Sequence, residues 1–509
     1  MESDLKYRTI GGCEIEMPIP SCLVIFGASG DLSKRKLIPA LYRLHKSRLL
    51  PENFFILGTG RTEMNTGQFR EMMSLAVSGR FTNDFDNASW TEFEARLYYT
   101  SFDYSLRESY HSLKEEITRL EKRHQTNGNR IFYLSLPPTA FETVIVNLGI
   151  TGLADEEKDS YTHIVVEKPF GRDLNSAKRL NSMLKDFFDE RQIFRIDHFV
   201  AKETVQNIIM FRFANSIFEP LWNNKYIDHI QITAAETLGV EQRASYYEDA
   251  GVIRDMFPNH LLQLLAIAAM EPPPLFGTEM VRDEKVKLFR SLRPLPLDRL
   301  EEHVVLGQYG AGKINGETVS GYRECKGVSP TSATPTFAAM KIFIDNWRWK
   351  DVPFYIRSGK RLSKRSTEIS IHFKPVPHMM FSGLLEKPIT PNILILRVQP
   401  DEGMSLILQT KQPGSKVCIN PVSMDFSYQK DIQLDAYEWV LLECMRGDQM
   451  LFVREDGVEL TWALLTPVIE RLGSTIDAGK FPNYEAGSSG PAEAALLIER
   501  DGRAWRQAS

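Results

Sequence analysis

Cys22-Leu23-Val24-Ile25-Phe26-Gly27-Ala28-Ser29-Gly30-Asp31-Leu32 is an apolar run that stops abruptly in a glycine-bearing turn. A run without alternation marks a strand covered on both faces, as in a parallel sheet. Glycines at its end let the backbone approach a pyrophosphate, whose charge the N-terminus of a following helix stabilises. Leu37, Ala40, Leu41 and Leu44 then recur at helical spacing. Pro39 is tolerated only in a first turn, so the pattern predicts a helix that starts or bends there, leaving Ser33 to Lys36 as a tight basic turn beside the phosphates. The spacing is GxxGxL rather than GxGxxG, and alone it fits a plain strand-to-helix turn as well as a dinucleotide loop.

The stretches that follow repeat the theme. Phe54-Phe55-Ile56-Leu57-Gly58-Thr59-Gly60 reads as a second strand, and the residue after it is Arg61. An acidic side chain there would suit the ribose 2′-hydroxyl of NAD, whereas an arginine fork suits the 2′-phosphate of NADP, so the prediction is NADP. Further strands are expected at Arg130 to Leu136, before Pro137-Pro138, and at Thr162 to Val166, before Glu167-Lys168-Pro169-Phe170-Gly171. Loops at the carboxyl edge of such a sheet are where ligands bind, which makes Lys168 a candidate bridge between cofactor and substrate. Pro169 would fix that turn, a cis bond being one way to do so.

At 509 residues the chain is too long for one ordinary core, and two domains are expected. A hydrophobic content of 43% and a charged content of 25% fit a globular protein. The net charge of -5 gives no general affinity for nucleic acid, so any basic site must be local. The five cysteines are scattered without CxxC pairs, which argues for reduced thiols and against structural zinc; no metal ligand set is expected. No apolar run is long enough to span a bilayer and no signal architecture opens the chain, so the expected location is cytoplasmic, with no membrane partner.

Arg195-Ile196-Asp197-His198-Phe199-Val200-Ala201-Lys202-Glu203 concentrates ionisable residues where the strand-and-helix alternation gives way to longer strands. A charged segment at such a boundary is well placed to line a cleft between domains. His198 and Lys202 stand four apart, so on a helix both would face one way and grip one anion; a solvated helix start is the competing reading. The strands Ile369 to Phe373 and Ile393 to Val398 predict a large mixed or antiparallel sheet with a face available for subunit contact.

Several ordered pieces resemble the glucose-6-phosphate dehydrogenase family: Gly27 to Leu32, Arg61, Glu167 to Gly171, Arg195 to His198, Lys202-Glu203, Arg254-Asp255, Asn259-His260-Leu261-Leu262-Gln263, and Val352-Pro353-Phe354 through Gly359-Lys360. Tyr484 to Gly487 and Arg500 to Trp505 look like bacterial members. The resemblance implies an α/β Rossmann domain binding NADP, set at 20–196, and a larger α+β domain with a mainly antiparallel sheet, set at 197–509, for substrate binding and assembly into a homodimer or homotetramer. It implies oxidation of D-glucose 6-phosphate to 6-phosphoglucono-1,5-lactone, the entry to the oxidative pentose phosphate pathway.

By the same resemblance His260 is the general base and Asp197 its carboxylate partner. Gly27, Ala28, Ser29, Gly30, Asp31, Leu32, Arg61 and Lys168 hold the cofactor. The 6-phosphate falls to His198, Lys202, Lys360 and Arg365, the sugar hydroxyls to Glu236 and Asp255, and Lys168 serves both sugar and cofactor. Asp255 and His260 are separated by about 140° on an ideal helix, and Pro258 offers the bend that would bring them to one side. Gln399 is a further binding candidate. The chain departs from the family at Phe199, usually tyrosine, at Val200-Ala201, usually Leu-Gly, and at Pro258. Two other readings compete: a glucose-fructose oxidoreductase-like sugar dehydrogenase, which need not carry the cation cluster, and a noncatalytic NADP-binding sensor, which could dispense with His260 and Asp197.

Overall fold

The structure is a computed structural model that describes residues 7–10, 13–200, 202–380, 389–414, 419–427 and 434–507. The chain packs as two units: residues 1–202 with 276–282 and 430–458, and residues 203–275 with 283–429 and 459–509.

In the first unit the apolar runs become parallel strands: β1 (Ser21–Phe26), β2 (Phe54–Gly60), β3 (Leu97–Ser101), β4 (Arg130–Leu134), β5 (Thr162–Val166) and β6 (Ile193–Arg195). They pair in the order β3-β2-β1-β4-β5-β6, each neighbour parallel. This is the doubly wound Rossmann order, whose switch point lies between β1 and β4. Every residue of β1 and β2 is buried, as their unalternating sequence requires. β3 and β6 were not expected from the sequence: one carries two polar residues in five and the other is three residues long.

Two local expectations are corrected. Ser33–Leu37 is not a tight turn but a π-helical turn continuous with the helix Ile38–Lys46. The Ile38 amide donates to the carbonyl of Ser33, five residues back. Widening the turn accommodates Pro39, which has no amide hydrogen to give to the carbonyl four residues earlier. Likewise His198 and Lys202 do not share a helical turn. His198 to Val200 form a turn after Asp197, and the helix begins at Glu203. The Asp197 carboxylate accepts from the Phe199 amide at 2.9 Å, and a side chain that caps its own downstream backbone in this way competes with helix formation. Ala201 of the Val200-Ala201 departure lies outside the described residues.

The returning segment contributes the helix Ala436–Arg446, capped by Asp435 and held to the first helix by an Arg43–Glu438 ion pair at 3.2 Å. Its far end is zipped to β5: His163 Nδ1 lies 2.8 Å from the Cys444 carbonyl and the Tyr161 hydroxyl donates to the Met445 carbonyl at 3.0 Å.

The second unit is built on a mixed sheet of β7 (Ile227–Ala235), β8 (Val304–Gly307), β9 (Phe337–Ile342), β10 (Phe354–Gly359), β11 (Ser366–Phe373), β12 (Ile393–Gln399), β13 (Gly403–Lys411) and β14 (Ile419–Ser427). Its order is β8-β9-β10-β7-β11-β12-β13-β14. Every pairing is antiparallel except β10 with β7. The fold is therefore an α/β Rossmann unit with a larger α+β unit whose sheet is mainly antiparallel. At the β14 edge Val422, Met424 and Phe426 are 41%, 61% and 56% exposed, opposite Leu408, Leu406 and Met404 of β13.

Burial of the helix Ala436–Arg446 has a consequence for pH. Glu443 is pushed up to about 7 by burial, which outweighs the pull of Arg446 at 2.8 Å. An unfolded glutamate titrates near ~4.3. Between those values the folded chain binds the extra proton, so stability falls as pH rises through the window and is level above it. Glu443→Gln lacks that fall. Its melting temperature relative to the parent should therefore climb by roughly 2–4 °C between pH 5 and pH 8, measured by scanning calorimetry; a pH-independent difference refutes the assignment.

Candidate functional site

In the first unit, the loop after β1 is fixed by one acceptor. The amides of Gly27 and Ala28 both donate to the Thr59 carbonyl at 2.9 Å, tying the loop to the end of β2. Gly27 sits at φ 83°, and a Cβ there would lie 2.2 Å from the Ser135 carbonyl oxygen, so only glycine passes. The Gly30 amide closes the turn onto the Gly27 carbonyl at 2.9 Å, and the Ser29 and Thr62 hydroxyls meet at 3.1 Å. Asp31 and Arg35 form an exposed pair at 3.3 Å. Arg61, also exposed, leaves the carboxyl end of β2, the strand next to β1. A glycine turn opening a helix, with an arginine one strand over, fits a dinucleotide that carries a 2′-phosphate.

Lys168 follows β5 and is joined to Pro169 by a cis peptide bond. The residue before it, Glu167, is buried and is the hub of a polar chain. The Tyr133 hydroxyl donates to one Glu167 oxygen at 2.6 Å, and His198 Nε2 lies 3.2 Å from the other. The Tyr437 hydroxyl reaches the same Nε2 at 3.0 Å, with the two rings 4.3 Å apart. Burial raises the Glu167 pKa, but His198, Tyr133 and Lys168 outweigh it and the net shift is downward. An ionised Glu167 therefore receives the Nε2 hydrogen of His198. His198 Nδ1 is buried and has no hydrogen-bond partner among the described residues. Asp197 is 1% exposed, and the Lys202 ammonium lies 5.2 Å over the Phe199 ring.

Tyr133 and Tyr437 were missed by sequence reading. Asp435 to Glu438 carries a capping-box pattern that announces a helix start. Nothing local could say that the next side chain would meet an imidazole 239 residues away.

In the second unit, β7 and β10 run parallel with Ala235 opposite Gly359, so the residues after them leave the sheet side by side. These are Glu236 and Lys360, and their side chains form an ion pair. Their backbones are locked as well: the Glu236 amide donates to the Gly359 carbonyl at 2.9 Å, the Leu362 amide to the Glu236 carbonyl at 2.9 Å and the Lys360 amide to the Thr336 carbonyl at 3.0 Å. The Lys360 ammonium also lies 5.3 Å over the Tyr247 ring. Arg365 donates to the Gln399 side-chain oxygen at 3.3 Å, and Gln399 in turn donates to Thr367 at 2.9 Å.

Asp255 and His260 are 5% and 2% exposed. Asp255 accepts from the Tyr246 hydroxyl at 3.3 Å. The bend expected at Pro258 takes the form of a π-helical turn, Phe257–Leu261, between the helices Ala244–Met256 and Leu262–Ala269. The Leu262 amide reaches back to the Phe257 carbonyl, five residues away. A second break precedes it at Gly251, where φ 58° and ψ 174° interrupt the helix. The sequence-selected residues thus fall into two groups, Gly27 to Leu32, Arg61, Lys168, Asp197, His198 and Lys202 in the first unit and Glu236, Asp255, His260, Lys360 and Arg365 in the second.

Comparison with known proteins matches residues 24–207 to the family model for the glucose-6-phosphate dehydrogenase NAD binding domain and residues 209–506 to that for the C-terminal domain. The chain is 44% identical to glucose-6-phosphate 1-dehydrogenase of Chlamydia pneumoniae, over 99% of each chain. It is 46% identical to that of Aggregatibacter actinomycetemcomitans, over 96% of this chain and 97% of the relative. Among solved structures, a glucose-6-phosphate dehydrogenase in complex with glucose 6-phosphate superposes with a TM-score of 0.86 at 32% identity, covering 97% of this chain and 100% of the other. The enzyme from Mycobacterium avium gives 0.80 at 35% identity, covering 96% and 99%.

Proposed function

The chain belongs to the glucose-6-phosphate dehydrogenase family, and from that premise we infer the reaction and the part each residue plays in it. The enzyme is an oxidoreductase that uses a nicotinamide dinucleotide. It oxidises D-glucose 6-phosphate to 6-phosphoglucono-1,5-lactone, the first step of the oxidative pentose phosphate pathway. The observation that carries this reading is the match along nearly the whole chain to relatives of that name.

Residues 20–196 serve the cofactor and 197–509 the substrate. Bound nicotinamide supplies the hydride acceptor. Gly27 to Leu32 receive the pyrophosphate and Arg61 the 2′-phosphate, which makes NADP the preferred form. His260 takes the proton of the C1 hydroxyl, and Asp197 orients and stabilises the resulting imidazolium. Asp197 suits that role because its own turn, closed through the Phe199 amide, already fixes one of its oxygens. As an imidazolium, His198 donates its Nδ1 hydrogen to the 6-phosphate while Glu167 and Tyr437 hold its other nitrogen. Lys202, Lys360 and Arg365 complete the cation set, Glu236 and Asp255 accept from sugar hydroxyls, and Lys168 donates to sugar and cofactor.

Among the described residues no helix is long and apolar enough to cross a membrane; the free thiols of Cys22, Cys325 and Cys444 support a reducing, cytoplasmic location. The exposed Val422, Met424 and Phe426 face of β14 supports a homodimer or homotetramer, since apolar sheet faces of this kind are commonly closed by a second copy.

Three measurements test these assignments. His260→Asn should lower turnover by about three orders of magnitude or more while leaving NADP affinity within about twofold; retained turnover would remove the base and favour a binding-only protein. Arg61→Ala should narrow the NADP-over-NAD preference roughly ten- to a hundredfold, and an unchanged ratio moves the 2′-phosphate site elsewhere. Met424→Glu with Phe426→Glu should shift the mass seen by light scattering toward one chain; an unchanged mass places the subunit contact on another face.

A further inference from the structure

We propose that Glu236 and Lys360 form a latch that couples recognition of the phosphate to recognition of the sugar, so that the enzyme discriminates against unphosphorylated glucose by keeping a sugar-binding carboxylate occupied. The inference rests on the reading above, in which Lys360 serves the phosphate and Glu236 a sugar hydroxyl. It goes beyond it in making the two roles interdependent.

The only parallel pairing in the second sheet among the described residues, β7 with β10, brings the two residues out together, and each backbone is pinned by hydrogen bonds to its neighbours. Beyond those pinned backbones the two side chains are bonded to each other. Lys360 is 13% exposed and Glu236 36% exposed, so solvent and ligand reach the pair from the carboxylate side. A neutral sugar hydroxyl is a weaker donor than an ammonium and cannot displace it from the Glu236 oxygen. A phosphate dianion can, because it offers the ammonium two charges in place of one. Arg365 stands ready to share that dianion, since among the described residues its guanidinium donates to the neutral Gln399 amide and not to a carboxylate. Once Lys360 turns to the phosphate, Glu236 is left with its charge and its lone pairs for the sugar. Glucose alone must open the ion pair without that compensation. The pair is partly solvated and therefore modest in strength, so the expected discrimination from the latch is roughly threefold to tenfold, beyond whatever the phosphate contacts themselves contribute.

The experiment compares kcat/KM for glucose 6-phosphate, for glucose, and for glucose with added phosphite dianion. Wild-type oxidation of glucose should rise with phosphite. Lys360→Met should abolish that stimulation, lower kcat/KM for glucose 6-phosphate by about a hundredfold or more, and yet raise kcat/KM for glucose alone roughly threefold to tenfold, because Glu236 is then permanently released. Glu236→Gln, which cannot form the ion pair but can still accept a hydroxyl, should also lose the phosphite response, and it guards against a Lys360 variant that fails to fold. A wild-type enzyme inert toward glucose 6-phosphate overturns the reading of the site itself. A wild-type enzyme that oxidises glucose 6-phosphate but shows no phosphite response, or a Lys360→Met variant that loses both substrates in equal proportion, overturns the latch alone.

Discussion

Parallel strands end together, and in both units the charged residues follow from that constraint. Where β1 and β2 run parallel, the Thr59 carbonyl at the end of one strand can collect the Gly27 and Ala28 amides from the loop after the other. Where β7 and β10 run parallel, Glu236 and Lys360 emerge as neighbours. An antiparallel pairing would have sent these residues to opposite ends of the sheet. A parallel step in a mainly antiparallel sheet lets an anion and a cation from segments 124 residues apart share one position.

A second device is the buried carboxylate that orders its neighbours. Glu167 is lined by Tyr133, His198 and Lys168, and their combined effect keeps it ionised in spite of burial. An ionised carboxylate at this point takes the Nε2 hydrogen of His198 and favours the imidazolium, whose Nδ1 hydrogen is the one that faces a ligand. Asp197 is spent differently, with one oxygen on the backbone of Phe199 in a turn that precedes the helix beginning at Glu203. The adjacent Phe199 meets Lys202 through its ring face, an interaction that needs no phenol hydroxyl.

Two helices near the candidate site residues carry a π-helical turn, with Pro39 just after one and Pro258 within the other. The shared cause is the missing amide hydrogen, which leaves a carbonyl without its regular partner and makes the wider turn acceptable. In the second case the turn contains His260 and follows Asp255, so Pro258, where the chain departs from the family pattern, itself shapes the backbone of that segment.

The amino-acid sequence by itself determined the parallel sheet of the first unit, because strands buried on both faces need unbroken apolar runs, and β1, β2, β4 and β5 carry them at Cys22 to Phe26, Phe54 to Leu57, Ile131 to Leu134 and Ile164 to Val166. It also determined the glycine loop, Arg61 and the Glu167-Lys168-Pro169 turn, since each is a property of consecutive residues. The short β6, the π turns and the non-helical Asp197 to Val200 segment were decided by tertiary structure, because there a proline ring or a side-chain acceptor outweighs local spacing. So were the contacts of Tyr437 with His198 and of Lys360 with Glu236, which depend on strand pairing and on the return of a late segment to the first unit. No periodicity in one stretch encodes the residue it will meet from another, because that choice is made by sheet register and by burial.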